Sequence, residues 1–415
     1  MDFEVIVVGA RVAGSATAML LARAGLRVLA VDRAHFPSDT LSTHQVQLPG
    51  GALLRRWGIL DKLIDRGTPP ARGVVFDPGP AVLRGDYAPH DGVDAVYSPR
   101  RTLLDSLLIA EARAAGATVE EAFIVEEVVG DARVTGIRGR TKGGDRSRTI
   151  TAHLVVGADG KHSTVARAVG AREYRARPAT TAACYGYFAG LPVKGGEVYT
   201  RPDRVVGLWP TGDNLTIVYL GVPAARFPEV RGADGFRRAI AEVADLGDRL
   251  SAAQLAEHVR GTTDVPGVIR RPYGPGWALA GDAGLVMDPI TGQGIGNALR
   301  DADALSAAIV ATLGGGGGGA RGFGDYHRRR DAARRPMYDM TARFAAFRPD
   351  RGGEVLFPAL AGDRARVTRF LGVLTGTVPV GDFFAPANLH RLLGTRDLLR
   401  LAAARAGLAR SPRGR

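Results

Sequence analysis

The stretch FEVIVVGARVAGSATAMLLARAGLRVLAVD, residues 3–32, has the pattern of a strand, a glycine turn, a small-residue helix and a second strand. Its opening run, FEVIVV, is almost continuously apolar, as buried parallel strands are. The turn Gly9-Ala10-Arg11-Val12-Ala13-Gly14 follows the G-x-G-x-x-G pattern except at Arg11, and Asp32 lies 23 residues after Gly9. This order of elements predicts a dinucleotide-binding β-α-β unit in a parallel sheet.

The residue types in this turn suit a bound dinucleotide. Gly9 permits the tight turn and Gly14 lets helix and strand pack closely, while the helix N-terminus around Ala13 offers N–H groups to a pyrophosphate. Asp32 is placed at the end of the second strand, where an acid binds ribose hydroxyls. Arg11 must keep a negative φ, so we expect its guanidinium to fold over the phosphates or to turn toward solvent.

Composition excludes several classes of protein. The formal charge is +13, but only four of the 55 basic residues are lysines and no nucleic-acid-binding motif accompanies them, so no nucleic-acid partner is expected. One cysteine, Cys184, excludes a disulfide framework and a multi-cysteine metal site, and no metal is predicted. Because a strand-like run begins at Phe3 and no long apolar stretch occurs, we expect no secretory signal, no transmembrane segment and a cytoplasmic location.

Further motifs follow along the chain. They are Gly157-Ala158-Asp159-Gly160 after a short strand, Gly281-Asp282 after a strand near Trp277, and Asp288-Pro289-Ile290-Thr291-Gly292-Gln293-Gly294-Ile295-Gly296-Asn297, which runs into a helix ending near Leu313. Between them, from about residue 180 to 222, short strands and turns alternate, including a hairpin of Val205–Trp209 with Leu215–Leu220. This block predicts an antiparallel sheet outside the nucleotide-binding fold.

Together with the first turn, these ordered motifs resemble the FAD-dependent monooxygenase superfamily typified by para-hydroxybenzoate hydroxylase, which also contains geranylgeranyl reductases and flavin halogenases. The resemblance covers about residues 3–340. It implies an α/β fold with a Rossmann-type FAD-binding domain, an antiparallel β-sheet substrate domain and C-terminal helices. The expected boundaries are 1–75, 98–172 and 270–340 for the discontinuous FAD-binding domain, 76–97 and 173–269 for the substrate sheet, and 341–415 for the helical segment.

The resemblance also implies roles for individual residues. Asp282 would bind the ribityl chain or pyrophosphate of FAD, and Pro289 would lie at the catalytic site near the reactive edge of the isoalloxazine. The segment 292–296 would present N–H groups to N1 and O2 of the flavin, where a helix N-terminus stabilises the negative charge of the reduced ring. Arg101 would contact FAD, with Arg100 as its alternative. Val125 would contact adenine, and Asp159 would contact FAD and nicotinamide. The other residues implied around the dinucleotide are Gly9, Arg11, Ala13, Gly14, Asp32, Arg33, Gly292, Gly294, Ile295, Gly296 and Asn297.

Residues on the substrate side are less constrained by the sequence. His44 stands where the family's chain passes over the flavin ring, which makes it a candidate catalytic histidine, with a structural or surface histidine as the alternative. Tyr187, Trp209 and Tyr219 of the expected outer sheet suit a bulky apolar or aromatic ligand, although alternate sheet positions are normally core.

The function implied by the resemblance is an NAD(P)H-dependent FAD monooxygenase of the hydroxylase or epoxidase type. It would insert one oxygen atom from O₂, via a flavin C4a-hydroperoxide, into a bulky apolar or aromatic small molecule. The alternative is a flavin-dependent reductase of carbon–carbon double bonds, similar to geranylgeranyl reductases. A halogenase is less favoured because the W-x-W-x-I signature and a lysine soon after the first glycine turn are missing, and a non-catalytic flavoprotein stays open. Some members of the family receive reduced flavin from a separate flavin reductase, and the sequence leaves that partner open too.

Overall fold

A computed structural model describes residues 1–243, 246–314, 319–348 and 351–405. Its strands, in chain order, are β1 (Phe3–Val8), β2 (Val28–Val31), β3 (Pro70–Ala71), β4 (Gly73–Asp77), β5 (Leu83–Asp86), β6 (Val96–Tyr97), β7 (Thr118–Glu120), β8 (Phe123–Val129), β9 (Gly136–Thr141), β10 (Arg148–Gly157), β11 (Glu173–Arg177), β12 (Thr181–Ala189), β13 (Gly196–Arg201), β14 (Arg204–Pro210), β15 (Thr216–Pro223), β16 (Gln254–Leu255), β17 (Arg260–Thr262), β18 (Gly267–Arg270), β19 (Tyr273–Gly274), β20 (Trp277–Leu279) and β21 (Leu285–Val286).

The α-helices are α1 (Val12–Arg23), α2 (Leu48–Arg56), α3 (Leu60–Asp65), α4 (Arg101–Ala114), α5 (Thr164–Ala168), α6 (Phe227–Val230), α7 (Ala233–Ala241), α8 (Leu246–Ser251), α9 (Gly294–Leu313), α10 (Gly319–Phe344), α11 (Gly353–Ala361), α12 (Arg364–Thr375), α13 (Val380–Phe383) and α14 (Pro386–Arg405). Short 3₁₀ turns occupy Ala224–Arg226, Gly281–Ala283 and Pro289–Thr291. Within the described ranges, no helix combines the length and the apolar character that crossing a membrane requires.

The first sheet is the parallel nucleotide-binding sheet that the opening stretch predicts. Its strand order is β19-β20-β10-β1-β2-β7, and β1 pairs in parallel with both β2 and β10. Residues Val5–Val8 of β1 are buried, because helix α1 packs on the sheet and is itself covered by α4 and α9. The prediction of a Rossmann-type α/β domain is therefore confirmed.

The second sheet is largely antiparallel, in the order β16-β12-β15-β14-β13-β4-β5, with β17 beside β12. The predicted hairpin forms as β14–β15, with Trp209 opposite Ile217. Strand β4 pairs in parallel with β13, so the whole of Gly73–Asp77 belongs to this sheet although the expected domain boundary falls at residue 75. Helix α10 likewise runs through the expected boundary at residue 340.

The C-terminal helices cover one end of the second sheet. Phe76 on β4 packs edge-on against Phe357 of α11 and Phe370 of α12, with ring centroids 5.6 Å apart in each pair. Helix α12 also lies against β5, where Val367 approaches the backbone at Gly85. The expected helical segment is thus present over its described part, and residues 406–415 lie outside the description.

Candidate functional site

The first glycine turn is shaped by two close approaches. Gly9 has φ +97°, and a Cβ there would lie 2.5 Å from the carbonyl oxygen of Ala158. A Cβ on Gly14 would lie 1.7 Å from the Gly9 carbonyl oxygen. The turn therefore requires glycine at both positions, and it brings the start of α1 against the Ala158–Asp159 segment.

Asp32 anchors this turn with both carboxylate oxygens. Oδ2 accepts the Ala10 N–H at 2.7 Å, and Oδ1 accepts the Ala34 N–H at 2.8 Å. The Asp32 carbonyl accepts the N–H of Phe123, so β8, which carries Val125, begins beside the end of β2. Each carboxylate oxygen keeps a lone pair for a further donor, as contact with a ribose requires.

Arg11 and Arg101 meet at one buried carboxylate. Arg11 Nη1 donates to Asp105 Oδ2 at 2.7 Å and to the Ser38 carbonyl at 3.1 Å. Arg101 donates to both oxygens of Asp105, which is fully buried. The Arg11 side chain is therefore held by Asp105, and its expected contact with the phosphates of FAD stays a prediction. Sequence reasoning did not include Asp105 among the site residues, although the four-residue spacing from Arg101 on a helix was a usable signal.

Asp159 uses its carboxylate to cap helix α5. Oδ1 accepts the Ser163 hydroxyl at 2.5 Å and Oδ2 accepts the Thr164 N–H at 2.6 Å. Burial raises the pKa of this carboxyl, and these hydrogen bonds oppose the increase. The expected contact of Asp159 with flavin and nicotinamide stays a prediction.

Asp282 is exposed and has a free carboxylate. Gly281 before it has φ +59°, and its N–H donates to Asp301 Oδ2 at 2.9 Å. The Asp282 carboxyl, by contrast, has no hydrogen-bond partner in the described part of the chain. Although the side chain is exposed, the surrounding protein atoms partly desolvate the carboxyl and raise its pKa to about 6, and Arg101 and Lys161 oppose the increase. An unpaired carboxylate at this place suits a ligand that brings hydroxyl donors.

The segment from Asp288 to Asn297 forms a turn and then opens helix α9. Asp288 caps the turn by accepting the Ile290 N–H at 3.0 Å, and burial raises the pKa of its carboxyl to about 6. Gly292 has φ +63°, and a Cβ there would lie 2.3 Å from Gln45 Oε1. Pro289 begins the turn whose next two residues line a cavity, described below.

The N-terminus of α9 faces open space. Cβ atoms built on Gly294 and Gly296 would meet nothing within 4 Å. No side chain caps this helix, and none caps α1, so the first N–H groups of both helices stay available. Ile295 and Asn297 are buried beside them, and the Asn297 side-chain oxygen accepts a hydrogen bond from Arg300 at 2.8 Å.

His44 is buried and fully engaged by the protein. Its Nδ1 lies 2.8 Å from the Ser42 carbonyl, which requires a proton on Nδ1. Its Nε2 then accepts a hydrogen bond from the Tyr187 hydroxyl at 2.7 Å. Burial lowers the pKa of His44 to about 3, so the ring is neutral near pH 7. This geometry favours the structural interpretation of His44, because both ring nitrogens already have partners.

A cavity of about 80 Å³ adjoins the Gly292 turn. One wall is the second sheet, including Val74, Val198 and Trp209, and another is the C-terminal helices. The helices contribute Phe344, Leu371, Leu374 and Thr375, and Gln45, Gln47, Ile290 and Thr291 also line the space. Sequence reasoning missed Gln45 and Gln47, because nothing in the local pattern marks them.

Hydrogen bonds tie the turn at residues 289–293 to the C-terminal helices. Gln293 Nε2 donates to the Leu374 carbonyl at 2.9 Å, and the Thr291 hydroxyl lies 2.8 Å from that of Thr341 on α10. The cavity wall contributed by α12 is therefore held directly to the turn that precedes α9.

These features suit FAD. The free Asp282 carboxylate can accept hydrogen bonds from hydroxyls, and two uncapped helix N-termini can meet a pyrophosphate and a flavin ring. Arg101 is the first residue of α4 and is bound to Asp105. Among the described residues, no group of three or more His, Cys, Asp and Glu side chains is placed to hold a metal ion.

Comparison with known proteins agrees with this geometry. The family described as "FAD binding domain" matches residues 2–341. The chain belongs to this family of FAD-binding proteins. Its relatives include geranylgeranyl reductases, halogenases and a monooxygenase, as expected for the superfamily indicated by the motifs.

Three relatives show the range of this superfamily. This chain is 30% identical over 306 residues to digeranylgeranylglycerophospholipid reductase 2 of Methanothermobacter thermautotrophicus. The match covers 71% of this chain and 74% of the relative. The myxobacterial chondrochloren halogenase CndH has a similar structure, with a TM-score of 0.74 and 23% identity. The match covers 99% of this chain and 98% of the halogenase. The PqsL monooxygenase of Pseudomonas aeruginosa also has a similar structure, with a TM-score of 0.70 and 21% identity. The match covers 88% of this chain and 98% of PqsL. These two structures support the fold.

Proposed function

We propose that the protein is an FAD-dependent monooxygenase, of the hydroxylase or epoxidase type, that acts on an apolar or aromatic small molecule with NAD(P)H as electron donor. For a hydroxylation, one substrate C–H group, O₂, NAD(P)H and a proton would give the C–OH product, water and NAD(P)⁺. One oxygen atom enters the product, and the other leaves as water with the two electrons of the donor.

The observation that carries this proposal is the largely apolar cavity beside the Gly292 turn. Its walls are mostly apolar, and Leu371 and Leu374 of α12 contribute to them. Oxygen transfer requires that water be kept away from the reacting atoms, because competing reactions with water waste the oxidant. A largely apolar space next to the proposed flavin position supports the proposal.

The protein's own groups would bind and orient the cofactor. Asp282 would accept hydrogen bonds from the ribityl chain, and the N-terminus of α1 would bind the pyrophosphate. The N-terminus of α9 would place N–H groups and a positive dipole end at the pyrimidine edge of the flavin. When bound, FAD supplies the transfer of two electrons from the donor to O₂.

A carbon–carbon double-bond reductase is the second candidate. It is favoured by the 30% identity to the archaeal reductase. A halogenase has less support, since none of Lys62, Lys142, Lys161 and Lys194 lines the cavity.

The oxygen requirement of product formation separates the two candidates. FAD-loaded protein is incubated with NADH or NADPH and a panel of phenols, indoles and short prenyl alcohols, with O₂ and without it, and products are analysed by mass spectrometry. A monooxygenase gives a product heavier by one oxygen atom, labelled from ¹⁸O₂, only in air. A product heavier by two hydrogens that forms equally without O₂ would establish the reductase. Chemically reduced protein serves as a control for a missing flavin reductase.

A further inference from the structure

Helix α10 is bonded to residues 279–301, which carry the Gly281-Asp282 turn and the turn before α9. Tyr326, Arg330 and Arg334 follow one another at four-residue intervals, so their side chains share one face of the helix. Thr341 lies further along α10 and makes a fourth contact. The pairs are the Tyr326 hydroxyl with the Leu279 carbonyl at 3.0 Å, Arg330 Nη1 with the Gly284 carbonyl at 3.4 Å, Arg334 Nη1 with Asp301 Oδ1, and the Thr341 hydroxyl with that of Thr291 at 2.8 Å.

The Asp301 carboxylate joins three parts of the fold. Asp301 belongs to α9 and is buried, as is Arg334 of α10. Its Oδ1 accepts a hydrogen bond from Arg334 Nη1, and its Oδ2 accepts the Gly281 N–H at 2.9 Å. Because the guanidinium binds one oxygen, the other oxygen is directed at the Gly281 N–H. Arg334 also supplies the counter-charge without which a carboxylate is costly to bury.

The turn that begins at Gly281 has little space in which to move. Gly281 has φ +59°, and a Cβ there would lie 2.9 Å from the Cβ of Ala13 on α1. The Gly281 carbonyl accepts the Gly284 N–H at 2.9 Å, which closes the turn. A displacement of the Gly281 backbone would therefore be passed directly to Asp282, the next residue.

Asp282 depends on this turn for its position. Its carboxyl has no hydrogen-bond partner in the described part of the chain, so no hydrogen bond of its own fixes its direction. A group that binds a ligand must be held within about 0.5 Å of the productive geometry by the residues around it. The bond from the Gly281 N–H to Asp301 supplies such support one residue before Asp282.

We propose that Asp301 and Arg334 are positioning residues for FAD, which hold the Gly281-Asp282 turn so that the Asp282 carboxylate meets the ribityl hydroxyls. Arg334 acts through Asp301, and Asp301 acts through the Gly281 N–H. The inference rests on the FAD-binding role proposed for Asp282. It holds whether the reaction is an oxygenation or a double-bond reduction.

A double-mutant cycle with Asp282 tests this role. Asparagine at position 301 has one acceptor oxygen, so it cannot serve Arg334 and the Gly281 N–H from two oxygens. Full-length protein without FAD is titrated with FAD by fluorescence, at a temperature at which circular dichroism shows each variant to be folded. Asp301→Asn should weaken FAD binding by about 2- to 12-fold in the wild-type background. In the Asp282→Ala background the same change should weaken it by less than about 2-fold, because the residue that it positions is gone.

A purely structural role of Asp301 predicts a different result. Asp301→Asn would then weaken FAD binding by the same factor in both backgrounds, or would lower the Tm and leave the FAD Kd unchanged. Either result would overturn the proposal. The matched control is Asp303→Asn on the same helix, which breaks an exposed pair with Arg56 and should change the FAD Kd by less than about 2-fold in both backgrounds. A control effect equal to that of Asp301→Asn would also overturn it.

Two variants of Arg334 test the same link from α10, and they carry the test if Asp301→Asn does not fold. Arg334→Met removes the cation that orients Asp301 and should weaken FAD binding by about 2- to 12-fold. Arg334→Lys keeps a cation for Asp301 and should stay within about 2-fold of the wild type. Equal weakening by the two variants, or weakening by Arg334→Met that persists in the Asp282→Ala background, would overturn the proposal.

This inference and the proposed reaction fail in different ways. An FAD Kd that Asp282→Ala leaves unchanged would overturn the positioning role and leave the monooxygenase standing. Coupling of Asp301 to Asp282 without any oxygen-dependent product would support the positioning role and reject the monooxygenase.

Discussion

Replacing Asp105 by asparagine removes the negative charge that holds Arg11 and Arg101 together. Asp105 is fully buried, accepts Arg11 at 2.7 Å and accepts Arg101 Nη2 at 2.9 Å on both oxygens. Asparagine keeps the shape and one acceptor oxygen, but it leaves two guanidinium groups without a counter-charge. The variant therefore tests whether this cluster stabilises the junction of α1 and α4.

The expected cost follows from the burial of the cluster. Removing one partner of a buried ion pair typically costs about 3–5 kcal/mol, and the retained acceptor places this variant near the lower end. At an unfolding entropy of about 2.1 cal/mol/K per residue over 415 residues, roughly 3 kcal/mol lowers the Tm by about 3–4 °C.

Thermal unfolding of the FAD-free protein, followed by tryptophan fluorescence, measures this shift. The matched control is Asp303→Asn, which breaks an exposed pair with Arg56 whose side chains are 37% and 59% accessible. The control should shift the Tm by less than about 1 °C, because exposed ion pairs contribute little. A Tm of the Asp105 variant within 1 °C of the wild type would refute the reasoning.

Three further outcomes are expected. Asp282→Ala should weaken FAD binding by about 5- to 150-fold in a fluorescence titration, since a charge-assisted hydrogen bond is lost; an unchanged Kd would make Asp282 a turn residue only. Burial raises the pKa of Asp288 from 3.8 to about 6, so the folded state holds this proton more tightly than the unfolded state, and the free energy of unfolding should increase as pH falls from above 6 toward 4. Asp288→Asn should remove roughly 1.4 kcal/mol of that increase between pH 8 and pH 5, which urea unfolding at the two pH values measures, and an identical pH dependence would contradict the assignment. Arg11→Gly should retain FAD binding but lose roughly 1.5–3 kcal/mol of stability with the Asp105 contact, and loss of FAD binding would show that the guanidinium is an essential ligand.

The fold and the cofactor motifs were predictable because they are encoded in contiguous residues. The apolar run of β1, the glycine turn and the helix of α1 follow one another within the first 32 residues, and local backbone preferences suffice to order them. The turn before α9 is local in the same way, since Asp288 caps it and Gly292 adopts its positive φ within five residues.

The side-chain contacts around these local elements could be identified only from the tertiary structure. Arg11 and Asp105 are 94 positions apart, and no periodicity in either segment indicates that they meet. His44 was a candidate for catalysis, and only its packing against Tyr187 and Ser42 showed that both ring nitrogens are engaged.

The cavity is the clearest example of a feature that only the tertiary structure reveals. Gln47, Trp209, Tyr219 and Leu374 become neighbours because strands and helices from distant parts of the chain pack together. Local sequence specifies which backbone conformation each segment adopts, whereas the chemistry of a pocket depends on which side chains different segments turn toward the same space. For this protein, the proposed cofactor could therefore be inferred from local motifs, and the absence of charge in the described cavity lining emerged only after the chain had been folded.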